Sequence, residues 1–170
     1  VHGGSGFTRE WGLEQYVRDC RISLIYEGTN GIQALDLVGR KLASNGGRAI
    51  FSFFAELDAF VGENGDNEAL KPFIDGLSDT KEKLQDATTW LMQNGMSNFD
   101  NAGASSHDYL HLFGLTAFAY MWAMMAKVSL EKKDESDPIY KEKLITGQYF
   151  IDRLLPEATA HPDIDKTVLV

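Results

Sequence analysis

Apolar residues recur along most of the chain at three- and four-residue spacing, the signature of one helical face after another. Leu13, Tyr16, Val17, Cys20 and Leu24 form the first stripe. Thr8 is its expected N-cap, and Gly28 should stop the helix near Tyr26. A second helix should follow at once, capped by Thr29 or by an Asn30/Gln33 capping box, with Ile32, Leu35, Val38 and Leu42 as its stripe. The run Ser44-Asn45-Gly46-Gly47 then reads as a break, and a domain boundary is expected there, separating residues 1–45 from 46–170.

Four longer helical patterns follow the break. The first carries Ile50, Phe53, Phe54, Leu57 and Val61 and should end in the turn-rich stretch 62–67. The second runs from Leu70 through Phe73, Leu77, Leu84 and Leu91 to Met92, with Pro72 confined to its first turn and Gly95 as a C-cap candidate. The third should span about Ser106 to Lys132. Its middle is apolar on nearly every side, so it is expected to be the most buried helix. Asp137-Pro138 opens the fourth, which carries Tyr140, Leu144, Gln148, Ile151 and Leu155 and ends at Pro156. Alternating β-branched runs are nearly absent, which argues against sheet. The expected fold is all-α: two helices, then an antiparallel four-helix bundle.

Composition narrows the function classes. Of 170 residues, 16 are Lys or Arg and 25 are Asp or Glu, a formal charge of −9. Nucleic acid and anionic membrane surfaces both favour a basic face, so both are disfavoured as partners. The one cysteine, Cys20, excludes an internal disulfide and any multi-cysteine metal site, and it fits a reducing, cytoplasmic location. The longest uncharged run, Leu112 to Ala126, would make a helix of roughly 22 Å against a hydrocarbon core of about 30 Å, and reads as a buried helix, not a membrane span. The first residues are polar and glycine-rich, unlike a signal peptide. The chain opens on Val1 inside a glycine cluster, which points to a fragment or a processed chain.

The chemistry is concentrated before residue 43. Glu27 falls between the first two helices and next to the start of the second, where the helix dipole would favour its ionised form. Gly28 beside it lets a ligand approach the backbone closely. A carboxylate with a free amide alongside can remove a proton α to a carbonyl and help hold the oxygen. From spacing alone, a solvated loop acid followed by a helix stop explains the same residues with fewer assumptions.

Three pieces of this segment, His2-Gly3-Gly4-x-Gly6-Phe7, Arg18-Asp19 before Ile22, and Ile25-Tyr26-Glu27-Gly28-Thr29 with Ile32-Gln33, together resemble the end of the flavin-dependent acyl-CoA dehydrogenases. The run from Tyr26 to Leu42 is most similar to a subgroup that includes the 3-methylmercaptopropionyl-CoA dehydrogenases and carries an extra C-terminal helical domain, here residues 46–170. The resemblance implies that Glu27 is the base for the α-proton of an acyl-CoA thioester, while a hydride leaves the β-carbon for the flavin and trans-2-enoyl-CoA forms. It implies that the amide of Glu27 bonds the thioester carbonyl and that Gly28 lines the acyl pocket. It further implies FAD contacts at Gly3 and Gly4, which in the family commonly reach a neighbouring subunit's flavin, and at Thr29, Asn30 and Gly31. An electron-transfer flavoprotein or similar acceptor and a homo-oligomer are implied as partners.

Two departures bear on these expectations. Gly31 stands where many members carry a Gln, so only its backbone can serve FAD. The domains that supply most flavin and CoA contacts in the family have no counterpart in these residues, so the chain alone is expected to be inactive. An alternative reading makes residues 46–170 an interaction or assembly module without a direct catalytic part. His107 and His111 share a helical face at zinc-pair spacing, but no third ligand is signalled, and a polar helix face is the preferred reading. The Met121, Trp122, Met124 and Met125 group is read as core packing, and Cys20 as a small core residue. Tyr109, Tyr120 and Tyr149 are candidates for buried hydroxyls that need partners.

Overall fold

A computed structural model describes residues 2–26, 29–95, 98–132 and 137–160. All regular structure among them is helical, as the sequence pattern predicts. Packing divides the chain into two compact units between Gln33 and Ala34, and each is described by itself.

The first unit opens with two tight 3-10 turns, Gly3–Phe7 and Arg9–Trp11, followed by the short helices α1 (Glu14–Cys20) and α2 (Ile22–Ile25). The predicted single helix from Thr8 is therefore broken. Thr8 does not cap it, because its hydroxyl donates back to Ser5 O at 2.8 Å and its N–H goes to the same oxygen. Gly12, at φ +63°, turns the backbone through the left-handed region before α1 can start. None of these four elements buries a residue. Leu13, Tyr16, Val17 and Leu24 are all exposed, and so is Cys20, which corrects its reading as a core residue. The stripe is real as a pattern, but nothing within the unit covers it.

Helix α3 (Thr29–Asp36) continues into a π-helical turn, Leu37–Lys41. Between residues 34 and 42 the buried residues are Ala34, Val38 and Leu42, whereas Leu35 is exposed, as is Ile32. The wider π turn rotates the face that packs. It also brings Asp36 within reach of two cations: Arg40 Nε at 2.5 Å and Lys41 Nζ at 3.0 Å. The expected break is a left-handed turn, with Asn45, Gly46 and Gly47 all at positive φ. Gly47 is buried, and a Cβ there would lie 2.8 Å from Met92 Cε.

Four helices follow: α4 (Arg48–Asn64), α5 (Lys71–Asn94), α6 (Phe99–Glu131) and α7 (Ile139–Tyr149), the last prolonged by a π turn, Phe150–Leu154, and followed by the short α8 (Glu157–Ala160). Asp58 of α4 pairs with Lys81 of α5, and the groove that also holds Phe51 and Thr88 lies between the same helices, so α4 and α5 are antiparallel. Phe53 stacks on Phe113 and Phe60 meets Tyr120 edge-on, each at 5.3 Å, so α4 and α6 run parallel. Lys132 over Tyr140 and Trp122 on Phe150 make α6 and α7 antiparallel. The result is the up-down-up-down bundle expected from the pattern.

Two boundaries differ from expectation for local reasons. Helix α6 begins seven residues early, because Asn98, in extended backbone, accepts the N–H of Asp100 at 3.0 Å and caps it. Helix α4 runs into the predicted turn as far as Asn64, whose side chain donates to Phe60 O at 2.7 Å. Pro72 sits in the first turn of α5, where its missing N–H costs nothing. Gly95 follows α5 as expected but stays right-handed, and its N–H donates to Leu91 O at 2.8 Å.

Leu57, Leu77, Leu84, Tyr109, Ala119 and Ala123 are completely buried at the bundle's centre. Hydroxyls cross this core. Thr116 donates to Leu112 O at 2.9 Å and lies 3.4 Å from Thr80 O, and Thr88 meets Tyr109 at 2.8 Å. By length and composition alone, α6 could cross a bilayer, yet its inward residues from Ser105 to Ser129 are buried in the bundle. It is not uniformly buried: Phe118, Met121 and Val128 face outward.

Candidate functional site

The residues expected to carry chemistry belong to the first unit. Gly3 and Gly4 lie in the exposed 3–7 turn. Gly3 is at φ +56°, a conformation that a side chain disfavours, and the position a Cβ would take at Gly3 or Gly4 is open, so their backbone can be approached closely. Thr29, Asn30 and Gly31 form the first turn of α3. Thr29 is half-buried and its N–H donates to Tyr26 O at 3.3 Å, while Gly31 is exposed with open space where a Cβ would stand. The two groups sit on separate turns, each fixed by its own local bonds. Glu27 and Gly28, the expected base and pocket residue, lie outside the described residues.

The supporting charges in this unit are local. Arg18 donates to Gln15 Oε1 at 2.5 Å and approaches Glu14 at 3.5 Å, and Asp19 accepts from Gln15 Nε2 at 2.7 Å. The pairs link one turn of α1 to the next. The other oxygen of Glu14 is enclosed without a hydrogen-bond partner among the described residues.

Sequence reasoning gives no role to Trp11. In the structure its ring stacks on His2 at 4.6 Å with the planes 26° apart, directly behind the glycine turn. Nothing in the spacing of a His and a Trp nine residues apart signals such a pair. Gly6 has a steric role as well, since a Cβ there would lie 3.1 Å from the Cβ of His2.

In the bundle, the candidate constellations resolve differently. His107 is exposed, and His111 lies 3.6 Å from Glu157 of α8. Among the described residues, no three His, Cys, Asp or Glu side chains gather as a metal site needs. Met124, Met125 and Trp122 are partly buried, but Met121 is exposed, so only part of that group packs inward. Tyr109 has its buried partner in Thr88, and burial pushes its hydroxyl up to about 12. Tyr120 donates to Glu56 at 2.9 Å, and burial first, then that carboxylate, raise it. Tyr149 is exposed, contrary to expectation. A groove of about 430 Å³ between α4 and α5, floored by Phe51, Phe54 and Ala55, contains none of the residues expected to hold substrate or cofactor.

Comparison with known proteins bears on both units. Residues 1–42 match the family model described as acyl-CoA dehydrogenase, C-terminal domain, and residues 53–166 match the one described as acetyl-CoA dehydrogenase C-terminal like. The chain is 32% identical over 164 residues to 3-methylmercaptopropionyl-CoA dehydrogenase of Ruegeria pomeroyi, an alignment covering 94% of this chain and 28% of that protein. It is 27% identical over 177 residues to the broad-specificity linear acyl-CoA dehydrogenase FadE5 of Mycobacterium tuberculosis, covering 98% of this chain and 29% of that one. It is 43% identical over 42 residues to the caffeyl-CoA reductase-Etf complex subunit CarC of Acetobacterium woodii, covering 25% of this chain and 11% of that one. The chain thus spans under a third of the length of the relatives it matches from end to end. Two C-terminal segments of one family, in order and in a single continuous alignment, leave one assignment: the chain belongs to the acyl-CoA dehydrogenases, a family that generally uses FAD.

Proposed function

We propose that this chain is the C-terminal part of an acyl-CoA dehydrogenase in which Glu27 removes the α-proton of an acyl-CoA thioester. The observation that carries the reading is the tandem match, 1–42 and then 53–166, with Glu27-Gly28 falling in the sequence between α2 and α3. The Glu27 carboxylate takes the proton. The Glu27 N–H donates to the thioester carbonyl and stabilises the charge that gathers there as the proton leaves. Gly28 leaves room for the acyl chain beside that carbonyl. Bound FAD would accept the β-hydrogen as hydride, giving trans-2-enoyl-CoA. The open backbone at Gly3, Gly4 and Gly31 suits close contact with a flat cofactor. An electron-transfer flavoprotein or a similar carrier is the proposed acceptor, in keeping with the A. woodii relative, a subunit of a caffeyl-CoA reductase-Etf complex.

Residues 1–45 are proposed as the end of the catalytic helical domain and 46–170 as an added bundle, the whole working as a cytoplasmic homo-oligomer. Helix α6 is read as a bundle helix and not a membrane span, since its buried residues run along its whole inward face. The chain alone is proposed to be inactive, because no residue of 2–26 is buried and an enclosed site needs walls from elsewhere. A titration showing stoichiometric micromolar FAD binding to the 170-residue chain would overturn that. The outward Phe118, Met121 and Val128 favour a second role for the bundle, in assembly. Truncation after Leu42 separates the two: loss of oligomer with normal chemistry supports assembly, whereas altered acyl selectivity with assembly intact supports a substrate role.

The test of the main reading is Glu27→Gln in the intact, FAD-loaded enzyme. Anaerobic bleaching of the flavin by acyl-CoA should slow by several orders of magnitude while FAD stays bound. Unchanged bleaching would place the base elsewhere.

A further inference from the structure

The glycine turn has a clamp behind it. His2 and Trp11 bracket the turn in sequence, and their rings stack at 4.6 Å and 26°. Between them the backbone passes through Gly3 at φ +56° and is tied by the Thr8 N–H and hydroxyl to Ser5 O at 3.0 and 2.8 Å, and Gly12, at φ +63°, turns the chain just after Trp11. Glycine at residue 6 leaves room for the clamp: a Cβ there would sit 3.1 Å from His2 Cβ, tight enough that His2 would have to shift by a few tenths of an ångström. Trp11 is half exposed, and its ring lies against that of His2.

We propose that the His2–Trp11 stack, admitted by Gly6, is a positioning device that holds Gly3 and Gly4 in the conformation that meets FAD. This rests on the reading that the glycine pair contacts FAD. His2 and Trp11 are positioning residues and need not touch the cofactor. A short glycine-rich turn has more backbone freedom than any other segment, and a cofactor that must order it loses affinity accordingly. An aromatic stack is worth about 0.5–1.5 kcal/mol, so its loss should weaken FAD binding by about two- to twelvefold.

The experiment follows FAD rebinding to the deflavinated intact enzyme by quenching of flavin fluorescence. Trp11→Ala should weaken binding by that factor, and Trp11→Tyr, which keeps a stacking ring, should restore most of it. Gly6→Ala, which displaces His2 without removing either ring, should resemble Trp11→Ala. It also serves if Trp11→Ala does not fold. Gly3→Ala tests the underlying reading separately. If Gly3→Ala weakens FAD binding while Trp11→Ala and Gly6→Ala do not, the clamp is refuted and the glycine contact survives. If Gly3→Ala has no effect, the contact itself is refuted and the clamp with it. A cofactor-free readout is the NMR position of the His2 ring protons in this chain. Stacking should shift them upfield, and Trp11→Ala should return them to ordinary values. Ordinary values in the unmodified chain would overturn the proposal.

Discussion

The buried pair Thr88–Tyr109 allows a quantitative prediction with a definite asymmetry. Thr88 Oγ1 lies 2.6 Å from Leu84 O and 2.8 Å from the Tyr109 hydroxyl, and both side chains are essentially inaccessible. The threonine has one proton, and the carbonyl of Leu84 can only accept, so that proton goes to Leu84 and Tyr109 must donate to Thr88. Tyr109→Phe therefore removes a donor and leaves Thr88 still bonded, at a cost of about 1 kcal/mol. Thr88→Val keeps the shape but leaves the Tyr109 hydroxyl buried with no acceptor, at a cost of about 1–3 kcal/mol. The double variant strands nothing and should cost about 1 kcal/mol, well short of the sum. Urea unfolding at pH 7, followed by far-UV circular dichroism, gives the three values. A Thr88→Val cost no larger than that of Tyr109→Phe, or an additive double variant, would refute the assignment of donor and acceptor.

The same hydroxyl predicts a pH response. Its folded value of about 12 lies above the unfolded value of about 10, so the folded state holds the proton where the unfolded state has lost it. The stabilisation is complete below pH 10 and disappears as pH rises through 12, by up to about 2.7 kcal/mol. The alkaline loss should be smaller in Tyr109→Phe by that amount. Parallel curves for the two proteins would show that burial of this hydroxyl is not what limits alkaline stability.

Three further outcomes follow from single positions. Gly147→Ala puts a Cβ 2.9 Å from Phe73 and 3.0 Å from Trp122 in a packed core, so unfolding should show a loss of about 1–3 kcal/mol; an unchanged midpoint would mean that α7 can shift freely. Asp36, held down to about 2 by its hydrogen bonds to Arg40 and then Lys41, should stabilise the π turn above pH 4 and lose that effect as pH falls through 2. Carboxyl NMR of Asp36 checks the value, and Arg40→Gln should raise it. Cys20, exposed on α1, should react with a thiol reagent in the native chain as fast as in urea, whereas strong protection would restore it to a core.

Why the bundle was legible, and the first unit less so, comes down to where each stripe finds its partner. Ile50, Phe54, Leu57, Phe73, Leu77 and Leu84 all close against helices within the next hundred residues, so periodicity alone located them. The stripe Leu13, Tyr16, Val17, Cys20 and Leu24 has the same periodicity and remains exposed. Periodicity reports which face gains by burial, not whether anything within the chain covers it. Helix α6 shows the complementary limit. An apolar surface all round cannot say which side points inward, and the side bearing Phe118, Met121 and Val128 does not. The start of α6 was hidden because Asn101, Gly103 and Ser105 are poor helix formers. Yet Ser105 and Ser106 turn their hydroxyls back to Asn101 O and Gly103 O and so can be buried.

The family was legible for a different reason. Residue spacing could place Glu27 next to a helix start and no further; the combination of the three motifs, not any one of them, pointed to acyl-CoA chemistry, and the tandem family match bears on that combination. What the motif conceals is why its invariable-looking small residues are small. Gly3 is favoured by a backbone angle, Gly6 by the approach of the His2 Cβ, and Gly31 by neither, since open space surrounds its missing Cβ. Three glycines that look equivalent in sequence should therefore respond differently to alanine. Gly31→Ala should be tolerated by the chain itself, so a loss of FAD binding it caused in the intact enzyme would support the proposed contact. That makes residue 31 the position at which folding and the proposed FAD contact can be separated.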